Sequence, residues 1–132
     1  MSLPDIAPIK DESVAIQTRG QGVATAVVEL TGVLNHRDPA ALLAPFFDQL
    51  HRAMVGQGRT LVRMDLRGLR FMNSVSFKYF ITWIRANGAM PAHQRYRIHF
   101  LVNPKHHWQR VSIHALSCFS LDAITVEELE AQ

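Results

Sequence analysis

The stretch TLVRMDLRGLRFMNSVSFKYFITWI, Thr60 to Ile84, changes its period midway, and that change decides the fold. From Thr60 to Leu66, the apolar Val62, Met64 and Leu66 alternate with Arg63 and Asp65, the two-residue rhythm of a strand. From Ser76 to Ala86, Phe77, Phe80, Ile81 and Ile84 recur at steps of three and four, the rhythm of an amphipathic helix. Between them stand Asn73, Ser74 and Ser76, small polar residues able to satisfy the orphan N–H groups of a first helical turn. A hydroxyl at such a junction is either a cap or a group that something else reads or modifies.

The same strand–helix alternation continues on both sides. Upstream, SVAIQT (13–18) and VATAVVELTG (23–32) are rich in β-forming residues, and Arg-Gly-Gln-Gly between them predicts a hairpin turn. Asp38-Pro39 predicts a helix start, with Asp38 as N-cap. Leu42, Leu43, Phe46, Phe47, Leu50 and Met54 then run at helical spacing to Gly56-Gln57-Gly58. Downstream, Asn87-Gly88 closes the second helix, and RYRIHFLV (95–102) predicts a strand with Tyr96, Ile98, Phe100 and Val102 on one face. A third helix over 106–117, an extended AITV and a small acidic helix complete the chain. The order ββαβαβαβα predicts an α/β domain over residues 13–132. Its mixed sheet has an N-terminal hairpin followed by parallel strands, with helices packed on it. Pro4 and Pro8 predict a loose lead-in over 1–12.

Composition bounds what such a domain can be. With 132 residues, 48% hydrophobic and 19% charged, the chain fits one globular domain with a substantial core. No apolar run reaches the roughly 18 to 20 residues of a membrane span. MSLPDIAPIK has neither the basic start nor the apolar centre of a signal peptide. Cys118 is the only cysteine, so no internal disulfide forms; a cytoplasmic protein is expected. The net charge of +3 is unevenly laid out: eleven basic residues against Asp65 alone from Gln49 to Leu121, and ten acids against three basic residues in the flanks. That asymmetry predicts either a basic face for an acidic partner or acidic ends folded back onto the basic middle. The arginines are spaced singly and no RNA-reading motif occurs, so nucleic acid is not an expected partner.

The residues offer little catalytic chemistry. Seven histidines invite a metal reading, but His107 and His114 lie two turns apart on one helix, and no Cys or carboxylate cluster completes a site. There is no Gly-rich phosphate loop, and Ser74 lacks the GxSxG elbow of a hydrolase. Neither metal, cofactor nor enzymatic activity is expected. Tyr79 and Trp83, four apart on the second helix, are offset from the Phe77–Phe80–Ile81–Ile84 stripe. They are either core edge or an aromatic anchor for a partner.

Taken together, LTGVLNH, LVRMDLRGLRFMNS and the helix that follows resemble the STAS domain family, and more narrowly the single-domain bacterial anti-sigma factor antagonists. Gly32-Val33-Leu34-Asn35 is similar to the family's Gly-x-Leu-Asp turn. Leu61 to Leu66 is similar to its apolar-apolar-x-Asp-Leu strand, and Asn73-Ser74-Val75-Ser76 stands where the family has Asp-Ser-Ser-Gly. Asn103-Pro104 resembles the next strand-to-helix junction, and the resemblance covers roughly residues 13 to 127.

The resemblance implies that Ser74, with Ser76 as the alternative, is phosphorylated by a serine kinase of the histidine-kinase-like, anti-sigma factor type. It also implies reversal by a phosphatase and a partner surface of Asn35, His36, Asn73, Val75, Lys78, Tyr79 and Trp83. Asn35 and Asn73 replace family aspartates, and Val75-Ser76 replaces Ser-Gly, so the motif is degraded. Two other readings remain: an architectural STAS subunit of a transporter or signalling complex, never phosphorylated, and a small-molecule or nucleotide binder.

Overall fold

The computed structural model describes residues 6–120 and 122–130. Its elements are β1 (Ile9–Lys10), β2 (Val14–Gln21), β3 (Thr25–Leu34), α1 (Ala40–Gln57), β4 (Leu61–Met72), α2 (Ser74–Gly88), β5 (Arg97–Val102), α3 (His107–Ser117) and β6 (Ile124–Glu128). The six strands lie side by side in chain order. β1, β2 and β3 pair antiparallel, and β3 to β6 pair parallel. Each parallel step is bridged by one helix. With right-handed crossovers and strands added in one direction, all three helices fall on the same face of the sheet. This is the α/β domain with a mixed sheet that the periodicities predict.

The alternation carries through to burial. Val62, Met64 and Leu66 of β4 and Ile98, Phe100 and Val102 of β5 are wholly buried under the helices, while Arg63, Arg97 and His99 face the other way. Leu43, Phe46, Phe47, Leu50 and Met54 of α1 close over them. That helix stops at Gly58, which takes the left-handed conformation at φ 64° and lets the Gly58 and Arg59 N–H groups reach the Val55 and Met54 carbonyls.

Five local expectations are corrected. The lead-in is not loose where it is described: Ile9–Lys10 adds an edge strand to β2, and Ile6 enters the core, because burying Ile6 and partly covering Ile9 outweighs the breaking effect of Pro8. Residues 1–5 lie outside the described residues. Arg19, Gly20 and Gln21 are strand rather than turn, and the reversal is made by Gly22, Val23 and Ala24. Asp38 is a marginal cap, 3.4 Å from the Ala40 N–H; the Pro39 carbonyl takes the Leu42 and Leu43 N–H groups instead. β4 does not end at Leu66 but runs to Met72, through two register shifts against β3. Lastly, the acidic end is not a helix as far as it is described: its residues to Glu128 pair as β6, where Val126 and Ile124 extend the buried face.

The two register shifts are visibly accommodated. Bulges leave strand carbonyls without ladder partners, and the wholly buried Gln109 of α3 supplies them. Its Nε2 donates to the Leu66 and Leu69 carbonyls at 2.6 and 2.7 Å, and its Oε1 accepts the Asn103 N–H at 2.7 Å. On the β3 side, Gly32 sits at φ 99°, and a Cβ there would lie 2.1 Å from the Ser13 carbonyl oxygen, so no other residue fits. The bulged end of β4 thus delivers Asn73 to the sheet's carboxyl edge.

Candidate functional site at the start of helix α2

Asn73 is the N-cap of α2, with extended backbone at φ −77° and ψ 166°. Its Oδ1 accepts the Ser76 N–H at 2.9 Å, and its Nδ2 donates to the His36 carbonyl at 2.8 Å. The Asn73 N–H donates to the Leu34 carbonyl at 2.8 Å. One side chain therefore caps the helix and ties it to the loop between β3 and α1. An aspartate could cap but has no N–H for His36, which gives this asparagine a physical reason of its own.

With capping assigned to Asn73, Ser74 is left as the first helical residue, exposed to solvent. It is flanked by two apolar side chains that are also exposed, Phe71 at 47% and Val75 at 38%. Asn35 is exposed nearby on the loop that Asn73 holds, and Lys78 is exposed one turn along the helix. The free N–H groups and dipole at this terminus make an added anion on Ser74 tolerable to the domain. Ser76 differs: it is 0% exposed, and its hydroxyl has no partner among the described residues. His36 is half-buried, with Nε2 2.6 Å from Asp11 Oδ2. Asp11 in turn accepts the Ser13 and Val14 N–H groups at 2.9 Å. Those bonds, with the His36 side chain, overcome a small burial effect and hold its carboxyl at about 2.

The far half of α2 is different from what its sequence stripe predicts. Trp83 is not a surface anchor but core, 2% exposed. Its indole stacks on Phe47 of α1 at 5.0 Å and donates from Nε1 to the Tyr96 hydroxyl at 2.8 Å. The buried stripe is Ser76, Phe80, Trp83, Ile84 and Asn87, while Phe77 and Ile81 are only partly covered. The reason is that α1 packs beside α2, so the buried arc turns toward both sheet and neighbouring helix. Tyr79 stays half-buried at the margin, beside Thr82, His51 and Asp48 in a small apolar recess between the two helices. Trp108 is partly buried, its Nε1 donating to the Arg70 carbonyl at 2.8 Å.

Two polar residues escaped sequence reasoning because nothing local marks them: Gln109, which holds the β4 bulges, and Asn87, which reads as a helix terminator. Asn87 instead grips the Tyr96 backbone, accepting its N–H at 3.1 Å and donating to its carbonyl at 2.7 Å.

No helix among the described residues is long and apolar enough to cross a membrane. No family model matches the chain, and no curated protein matches it. Among solved structures, the crystal structure of an anti-sigma factor antagonist from Mycobacterium paratuberculosis is similar with a TM-score of 0.59, at 15% identity, over 98% of this chain and 92% of that one. The chain therefore has the STAS-like α/β fold of a solved anti-sigma factor antagonist.

Proposed function

We propose that this protein is a cytoplasmic regulatory module that works by binding a protein partner, an anti-sigma factor or a histidine-kinase-like serine kinase, and that phosphorylation of Ser74 switches the binding off. The observation that carries this reading is the division of labour at the start of α2. Asn73 does the capping, so the Ser74 hydroxyl is exposed and unneeded by the fold, between exposed Phe71 and Val75. An apolar rim of this kind suits desolvation against a partner. Asn35, Lys78 and Tyr79 complete the surface, with His36 and Asn73 supporting it from beneath.

A kinase transferring the γ-phosphoryl group of ATP to the Ser74 oxygen adds about −1.5 to −2 charge. The helix terminus accommodates that charge in the free domain. In a complex it must be stripped of water beside Phe71 and Val75, which disfavours binding. Burial of Ser76 makes Ser74 the acceptor of choice. The reading favours binding over catalysis, since nothing in the junction joins a nucleophile to a base.

The test is incubation with a serine kinase of the histidine-kinase-like class and ATP, followed by a mass-spectrometric search for phosphate on Ser74. Ser74→Asp is expected to weaken partner binding at least tenfold while Ser74→Ala retains it. Equal binding by Ser74→Asp and wild type sinks the switch and leaves the non-phosphorylated architectural subunit standing.

A further inference from the structure

The sheet face away from the helices carries charge where parallel strands usually carry a second layer. Strand register arranges that charge in transverse rows. Arg19, Arg63 and His99 share one row, and Glu29, Asp65 and Glu127 share the next, toward the carboxyl ends of the strands. The acidic row is largely answered from within. Arg67 grips both Asp65 oxygens at 2.9 Å, and His99 Nε2 lies 3.0 Å from Glu127.

On the basic side only His99 is answered. Arg63, Arg95 and Arg97 line one open groove of about 620 Å³, floored by Leu61 and edged by Thr125. Arg63 donates to the Gln21 amide oxygen at 2.9 Å and Arg95 to the Met90 carbonyl at 2.7 Å, neutral partners that orient the guanidinium groups without neutralising them. Among the described residues, none of the three forms an ion pair with a carboxylate. The acidic carboxyl end does fold back: Glu127 pairs with His99 at the groove's edge and Glu128 with Arg110, which leaves the three arginines to themselves.

We propose that this groove is a second docking surface, separate from the Ser74 junction, which takes a short acidic segment of a partner protein in extended conformation. Arg97 stands opposite Leu61 and diagonal to Arg63, so the two guanidinium groups are rooted roughly 7 to 8 Å apart. Alternate side chains of an extended peptide recur every ~6.6 Å, so carboxylates at i and i+2 reach both forks. The acidic row beside the groove limits the ligand's length. A continuous polyanion such as nucleic acid or an anionic bilayer would run over Glu29 and Asp65, whereas two or three carboxylates end before them. The groove lies near the opposite end of β4 from Ser74 and on the opposite face of the sheet, so both surfaces can be occupied together.

The test uses the whole chain and a fluorescein-labelled peptide of alternating Glu and Thr, followed by anisotropy at low and at physiological ionic strength. Wild type is expected to bind it, more weakly as salt rises, and an alternating Gln and Thr peptide is expected not to bind. The double variant R63E/R97E, checked for unchanged circular dichroism, should bind at least tenfold more weakly. R63Q/R97Q, which removes charge without reversing it, should fall between. Absence of wild-type binding at low salt overturns the proposal, as does undiminished binding by R63E/R97E. Stronger retention of a single-stranded oligonucleotide or of phosphatidylserine vesicles than of the peptide also overturns it. Ser74→Asp should leave peptide binding unchanged whatever it does to the partner of the junction; its loss in that variant would show that the two surfaces are one.

Discussion

The two ends of α2 carry the same residue types and put them to opposite uses. Each has an asparagine that bonds to a neighbouring backbone and a histidine close by. At the amino end, Asn73 bridges to the His36 carbonyl, and His36 pairs with Asp11, all at the solvent edge. At the carboxyl end, Asn87 is 2% exposed and grips Tyr96, whose hydroxyl accepts from Trp83 and meets His51 Nδ1 at 2.7 Å. The lesson is that burial, not residue type, assigns the task. The dry end anchors the helix, while the wet end satisfies its backbone and leaves Ser74, Val75 and Phe71 exposed.

That contrast can be broken most forcefully at Trp83. Trp83→Ala removes a buried ring and its stacking on Phe47, and should cost about 3 to 5 kcal/mol in urea denaturation. Trp83→Phe, which keeps most of the apolar volume, should cost much less. A near-neutral Trp83→Ala would put the indole back among the surface anchors. Next comes Asn87→Ala, which strands two buried backbone groups of Tyr96 and should cost about 2 to 4 kcal/mol. Asn73→Ala should cost less, about 1 to 2 kcal/mol, because water can replace the lost bonds. If the two asparagines prove equal, the wet and dry ends are not distinct in energy. Ser74→Asp should be smallest in stability, neutral or favourable by about 0.3 to 1 kcal/mol at low salt, while being the variant that matters most to partner binding.

Acid should separate the same two ends. Burial lowers the His51 pKa from its usual 6.5, so the folded domain favours the neutral ring. The unfolded chain then binds that proton more readily, so the His51 contribution declines as pH falls through and below about 6.5. Asp11 behaves differently: its carboxyl is held at about 2 against the usual 3.8, so its stabilisation is complete above 3.8 and disappears between 3.8 and about 2. Urea midpoints measured against pH, with His51→Gln and Asp11→Asn as references, should therefore lose their differences in two separate windows. A single shared window would contradict the separation.

Much of this was legible in the residues, and the exceptions share a cause. The strand at Val62, Met64 and Leu66, the strand at Tyr96 to Val102 and the first and third helices follow from local periodicity, because the apolar stripe each one buries is written within its own segment. Periodicity failed where two layers meet. The helical period places Trp83 at a margin of the sheet-facing stripe, and only α1 packed beside α2 makes that margin core. The bulges of β4 were invisible because their remedy, Gln109, lies forty residues away in sequence. At the junction, the hydroxyl and its asparagine could be named from the motif, but which of them caps could not. The choice depends on where the His36 carbonyl comes to rest.

The amino-acid sequence by itself determined the layers: alternation at 60–66, helical spacing at 76–86 and the glycine cap at 58 are local steric and hydrophobic constraints that hold wherever the segments lie. Tertiary structure decided the roles. Exposure of Ser74 beside the burial of Ser76, the divided duties of Asn73 and Asn87, and the unpaired arginines of the open sheet face all arise from long-range register, which local periodicity does not encode.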